Sequence, residues 1–215
     1  MPDYALMSQM LHEGKAPAVK EMTERALAEG RSAEEVLQDG LVAGMSVVGE
    51  DFKHNRLYVP QVLIAARAMK AGMAVLRPIL AQSSDTSSAG TVVMGTVKGD
   101  IHDIGKNLVC MMGEGAGFTM VDLGVNQSAD DFVTAVKEHG AGIVGMSALL
   151  TTTMPYMKVV IDRFAEENLG HIQLCVGGAP VSEMFAEEIG ADGYAADAAS
   201  AIDLFRSLDA ARAKR

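Results

Sequence analysis

The chain predicts an α/β protein in two parts, an N-terminal four-helix bundle followed by a Rossmann-like (flavodoxin-like) parallel five-stranded sheet with helices on both faces. Three observations predict it. Helix start and stop signals run without interruption to about Leu80, a small polar stretch at Gln82–Gly90 breaks the pattern, and beyond it short β-rich runs alternate five times with amphipathic ones. These boundaries give a helical domain over residues 1–82, a linker over 83–90 and a sheet domain over 91–215.

In the first part, Pro2-Asp3 opens a short segment that Gly14 closes, and Pro17 opens a second that ends at Gly30. Ser32-Ala33-Glu34-Glu35 reads as a capping box starting a third helix, with Ser32 accepting from the third amide and Glu35 reaching back. Pro60 takes the first position of a fourth helix that runs to about Leu80. Its apolar Val62, Leu63, Ala66, Met69, Met73 and Leu76 recur at three- and four-residue spacings. Four antiparallel helices with short connections make a small bundle.

In the second part, strands are predicted over 91–97, 118–122, 142–146, 172–176 and 193–195, with helices around 104–115, 129–139, 154–168, 181–189 and 198–211. Five βα units of this length give an open parallel sheet covered on both faces, and such sheets bind ligands beyond the carboxyl ends of their strands.

Composition excludes several classes. At 215 residues, 49% hydrophobic and 21% charged, with two Cys and no Trp, the chain is neither disordered, collagen-like nor a disulfide scaffold. The net charge of −10 sits almost wholly in the second part: residues 1–85 carry 9 Lys/Arg against 11 Asp/Glu, residues 86–215 carry 9 against 17. That surface repels phosphate backbones, so no nucleic-acid partner is expected. Cys110 and Cys175 show no metal-ligand spacing and read as buried thiols of a cytoplasmic protein. The N-terminus has no charged-then-apolar leader and no run approaches about 18 uninterrupted apolar residues, so no membrane association is expected.

The strand-end loops carry the candidate chemistry. The first strand runs into Gly99-Asp100-Ile101-His102-Asp103-Ile104-Gly105, which sets a histidine at the binding edge two residues after a carboxylate able to take its Nδ1 proton. That arrangement fixes a metal-ligating imidazole and makes its Nε2 a better donor. One His cannot cage a bare metal, and no second ligand stands at the right spacing, so a metal already held by its own macrocycle fits better. A loop histidine merely bonded to its neighbour is the competing reading of these residues alone. The third strand ends in Ser147-Ala148-Leu149-Leu150-Thr151-Thr152-Thr153, four hydroxyls at the same edge, and the fourth in Gly177-Gly178-Ala179-Pro180, where absent side chains leave room for a large group near backbone. Helix capping and a simple turn are the alternatives for these two.

Together, Asp100-x-His102-x-x-Gly105, then Ser147-x-Leu149 after 41 residues and Gly177-Gly178 after 27 more, resemble the signature of cobalamin-binding domains that hold the cofactor base-off with histidine on cobalt. The first element alone would arise by chance in roughly one chain in a hundred of this length. The helical half is similar to the cap region of methionine synthase and of small corrinoid proteins in methyltransferase systems, through Met45-Ser46-Val47-Val48-Gly49-Glu50-Asp51-Phe52 and Tyr58-Val59-Pro60-Gln61-Val62-Leu63.

The resemblance implies cobalamin, as methylcobalamin or a related corrinoid, with its cobalt on His102 and Asp100 bonded to that imidazole. Gly99, Ile101, Asp103 and Gly105 then belong to the cofactor-binding loop, with Gly105 admitting the displaced nucleotide tail. Ser147 would bond the buried base, with Leu149 and Thr151 close to the corrin and Gly177 and Gly178 lining the tail channel. Thr153 stands where methionine synthases complete a His-Asp-Ser relay with serine, so a hydroxyl is kept and a methyl added. Phe52 and Val59 match cap positions over the upper, methyl-bearing face, although ordinary bundle core is the plainer reading of both.

The implied function is a methyl-carrying corrinoid subunit in one-carbon metabolism, with no turnover alone. Its expected partners are a donor-specific methyltransferase, a second methyltransferase acting on tetrahydrofolate or a thiol, and a reductive activase. The alternative is a cobalamin-sensing or storage protein without methyl transfer. A DNA-binding regulator would need more than the ten or so residues before the bundle, a nucleotide-dependent dehydrogenase would need a GxGxxG turn that Lys98-Gly99-Asp100-Ile101-His102 lacks, and a phosphoreceiver would need an acid cluster after the first strand.

Overall fold

The structure, a computed structural model, describes residues 3–80 and 89–212. The described residues divide into two compact units, residues 3–80 with 114–117 and residues 89–113 with 118–212. Of the expected linker, Ala89 and Gly90 open a strand instead, and the rest lies outside the described residues.

The helical unit begins with α1 (Tyr4–His12), capped by the Asp3 carboxylate accepting from the Leu6 amide at 2.9 Å, and α2 (Ala16–Ala28), with Pro17 in its first turn. The third helical rod is longer and less regular than expected. It comprises α3 (Ala33–Glu35), a π-helical stretch at Val36–Val42 and α4 (Ala43–Lys53). Ser32 accepts from the Glu35 amide at 3.1 Å, but the Glu35 carboxylate turns outward to the Tyr4 hydroxyl (3.1 Å) and Arg31 (3.2 Å). Inside the π stretch, Gly40 lets α1 come close, since a Cβ there would lie 2.7 Å from Met7 Sδ.

The last helix, α5 (Val59–Leu80), buries Val62, Ala65, Ala66, Ala68, Met69, Gly72, Leu76 and Leu80 and packs chiefly along α2. Leu63 of the predicted face is exposed and Met73 half-buried, because small residues at 65, 68 and 72 bring the helices together on a neighbouring stripe. At Gly72, Leu41 and the buried Thr23 stand where a side chain would be. By length and composition α5 could cross a membrane, but its buried stripe makes it the core helix of this bundle.

In the sheet unit the elements run β1 (Ala89–Thr96), α6 (Ile104–Gly115), β2 (Phe118–Asp122), α7 (Ala129–His139), β3 (Ile143–Ser147), α8 (Pro155–Glu166), β4 (Gln173–Gly177), α9 (Glu183–Ile189), β5 (Gly193–Ala195) and α10 (Ala198–Arg212). All pairings are parallel, in the order β2-β1-β3-β4-β5. Buried Val93, Val97, Val144, Met146, Leu174 and Val176 pack one face of the sheet against Phe132, Met157, Val160 and Phe164 of α7 and α8. Ser128 and Asp131 form a full capping box on α7, and Gly140 ends that helix at φ 61°. The register aligns Thr96 with Ser147, Ser147 with Gly177, and Gly177 with Ala195, so four strands end on one rung.

Candidate functional site

Asp100 is fully buried just beyond that rung and is the centre of the site. Its Oδ1 accepts from the His102 amide (3.1 Å) and lies 2.7 Å from His102 Nδ1. Its Oδ2 accepts from the amides of Leu149 (2.8 Å) and Leu150 (3.2 Å) and from the Thr153 hydroxyl (2.7 Å). Burial pushes this carboxyl up, but those donors outweigh it and hold the group well below the usual carboxylate range. Thr153 also lies 2.9 Å from the Leu150 carbonyl, and its one proton serves the ionised acceptor better.

An ionised Asp100 can only accept, so the shared proton sits on His102 Nδ1, and in the neutral imidazole Nε2 carries the lone pair. The His102 side chain is 45% exposed, which leaves that nitrogen accessible. The loop is pinned at both ends. Gly99, at φ 87°, donates to Asn126 Oδ1 (2.8 Å), while the Asn126 amide donates to the Asp100 carbonyl (2.9 Å). At the start of α6 the buried Lys106 ammonium bonds Asp122 and Asn107 (2.6 Å each), and Asn107 donates to Asp103 (3.0 Å). A buried ammonium so paired ties the loop to the end of β2.

Next to His102 a cavity of about 470 Å³ opens between the sheet and helices α6 and α10. That volume falls within the roughly 300–1,000 Å³ of small-molecule sites. Its walls are mainly apolar, including Met94, Val109, Val176 and Phe205, with Ser147 the lining hydroxyl on the strand-end rung. Cys175 also lines it, and burial pushes that thiol up to about 12, so it stays protonated. A Cβ on Gly105 would meet nothing within 4 Å, whereas one on Gly178, at φ 131°, would stand 1.9 Å from the Ala148 carbonyl oxygen. Gly177 is similarly tight, 2.9 Å from the Ala195 oxygen. The paired glycines therefore answer to close backbone approach as well as to the cavity.

The structure thus gathers Gly99, Asp100, Ile101, His102, Asp103, Gly105, Ser147, Leu149, Thr153, Gly177 and Gly178 at one edge of the sheet. Thr151 is exposed on the turn after β3 and makes no part of the Asp100 network. Phe52 and Val59 belong to the helical unit, half-buried on either side of a turn in which Asn55 adopts φ 55° and Asp51 ties down both His12 (2.8 Å) and Arg56 (2.7 Å). Sequence reading missed Thr96, the Leu149 and Leu150 amides, Asn126 and Lys106. Only Thr96 carried a visible signal, as a hydroxyl ending the apolar run Val92-Val93-Met94-Gly95.

Among the described residues no group of three or more His, Cys, Asp or Glu is placed to hold a metal ion. A metal bonded to His102 must bring its other ligands with it, and the single oriented imidazole beside an apolar cavity fits a corrinoid with a nucleotide tail. Fold and site together define a corrinoid-binding protein. The chain belongs to the B12 binding domain family: residues 90–203 match one B12 binding domain and residues 5–77 a second. It is 42% identical over 205 residues to a corrinoid protein of Desulfitobacterium hafniense (strain Y51), covering 94% of this chain and 95% of that one. It is 41% identical over 195 residues to dimethylamine corrinoid protein 1 of Methanosarcina acetivorans, covering 90% and 91%. Among solved structures it superposes on the methanol:cobalamin methyltransferase complex MtaBC of Methanosarcina barkeri with a TM-score of 0.85 at 29% identity, covering 95% of this chain and 78% of that one. Its cofactor is a corrinoid.

Proposed function

We propose that this chain is a cytoplasmic methyl carrier that holds its corrinoid base-off with His102 Nε2 on cobalt. It would receive the methyl group from a donor-specific methyltransferase and surrender it to a second one acting on tetrahydrofolate or a thiol, with a reductive activase restoring oxidised cofactor. The observation that carries the reading is the buried, five-fold bonded Asp100 aiming the His102 imidazole beside an apolar, Ser147-lined cavity. The relatives named for dimethylamine and methanol systems support the methyltransferase setting.

Bound cobalt supplies the nucleophilic and leaving-group chemistry of methyl transfer. The chain's own residues do the rest. Asp100 keeps the His102 proton on Nδ1 and stabilises positive charge that develops on the ring, and Thr153 with the Leu149 and Leu150 amides keeps Asp100 ionised. Ser147 would offer its hydroxyl to the tail base, and the apolar lining would exclude water from it. Phe52 and Val59 of the helical unit would offer apolar cover to the bound corrinoid.

The test is a reconstituted assay with each candidate methyltransferase pair, alongside EPR of cob(II)-loaded protein grown with ¹⁵N-histidine. We expect ¹⁵N splitting and labelled methyl appearing on the acceptor only when both partners are present. Splitting from dimethylbenzimidazole instead would overturn the ligation, and tight binding without transfer to any partner would favour the storage reading.

A further inference from the structure

Thr96 ends β1 with its side chain wholly buried, and its hydroxyl stands between two groups of the site. Thr96 Oγ1 lies 2.9 Å from the His102 carbonyl oxygen and 2.9 Å from Ser147 Oγ. A carbonyl only accepts, so Thr96 donates its one proton to His102, and Ser147 must then spend its own proton on Thr96. In this arrangement Ser147 turns only lone pairs toward the cavity it lines.

A tail base whose buried edge carries an acceptor nitrogen needs a donor, and Ser147 is the hydroxyl available on that rung. If Ser147 turns its proton into the cavity, its oxygen must accept from Thr96, or else two hydroxyl oxygens face each other at 2.9 Å with no proton between them. The Thr96 proton is then withdrawn from the His102 carbonyl. We propose that Thr96 is a positioning residue, a buried proton switch that serves the His102 backbone while the cavity holds no acceptor and Ser147 once it does. Filling the cavity thereby releases the backbone of the residue that carries the metal-binding imidazole.

The inference rests on the corrinoid reading above, and the experiment separates the two. Apo protein is titrated with cobalamin and with cobinamide, the same corrin without the nucleotide tail, and the affinity ratio is read by absorbance. In the wild type, tail insertion reverses the Thr96–Ser147 bond, breaks the bond to the His102 carbonyl and forms one to the base, so none is gained net. In Thr96→Val no such reversal is needed, so preference for cobalamin over cobinamide should rise by about 2–10-fold, the worth of one hydrogen bond. Thr96→Ser should restore the wild-type ratio. In a Ser147→Ala background Thr96→Val should leave the ratio unchanged, which a merely structural role would not do. Thr96→Ala repeats the comparison if the valine variant does not fold. An unchanged ratio in the wild-type background, or an equal change in both backgrounds, overturns the switch. Failure of wild-type protein to bind either corrinoid overturns the corrinoid reading and the switch with it.

Discussion

Asp100 and His102, two residues apart, meet twice through one oxygen: Asp100 Oδ1 accepts the His102 backbone amide at 3.1 Å and pairs with its ring Nδ1 at 2.7 Å. The first bond curls the loop so that the second becomes possible. The imidazole is thus oriented before any ligand arrives.

Replacing the imidazole should uncouple ligation from binding. His102→Ala should abolish nitrogen coordination from the protein while retaining corrinoid in the cavity, whose lining it leaves otherwise intact. Equilibrium dialysis should show affinity weakened yet measurable, and cob(II) EPR should lose the histidine splitting.

Asp100→Asn should be costly out of proportion to its size. An amide offers one acceptor oxygen where five donors converge on two, so its NH₂ must face other donors, at a cost of roughly 1–3 kcal/mol. Folding holds the wild-type carboxyl below its ordinary value of about 3.9, so its stabilisation is complete above that pH and is lost as the pH falls below it. Urea titrations of the apo proteins should therefore show the gap between wild type and Asn variant narrowing as the pH drops from about 6 toward 3. A gap constant with pH would remove Asp100 as an ionised anchor.

Gly178→Ala should destabilise the sheet unit. The added carbon would meet the Ala148 carbonyl oxygen at 1.9 Å in a backbone conformation, φ 131°, that other residues rarely adopt. We expect a loss above about 2 kcal/mol in chemical denaturation. Gly105→Ala, with open space around its Cβ, should leave stability nearly unchanged and weaken corrinoid binding.

Phe52→Ala addresses the cap. The ring is half-buried in the helical unit, so its removal should cost less than the ~3–5 kcal/mol of a fully buried phenylalanine. Loaded protein should nevertheless oxidise and photolyse faster than wild type, as followed by absorbance. Equal rates would return Phe52 to ordinary packing.

The sheet unit was largely legible in the sequence because its signals are local. The predicted 118–122, 129–139, 104–115 and 193–195 match β2, α7, α6 and β5, whose ends are marked by Gly, Ser and abrupt changes of period. The helical unit was less so. Burial of Ala65, Ala68 and Gly72 rather than Leu63 depends on how closely α2 approaches, and the outward turn of Glu35 depends on Tyr4, 31 residues away. Within the site, Asp100 and His102 are sequence neighbours and could be read together, whereas Thr96 meets Ser147 only through the register of β1 on β3. The Leu149 and Leu150 amides leave no side-chain signature at all.

The position of β1 in the strand order has a consequence for timing. Flanked by β2 and β3, it is an interior strand, while β2 and β5 are edges. Amides of Val92–Gly95 should exchange with deuterium only when the whole sheet opens, later than those of either edge. The loop that presents the imidazole thus grows out of a slow-exchanging interior strand, so an arriving ligand need not freeze that loop and forfeits little entropy in capturing it.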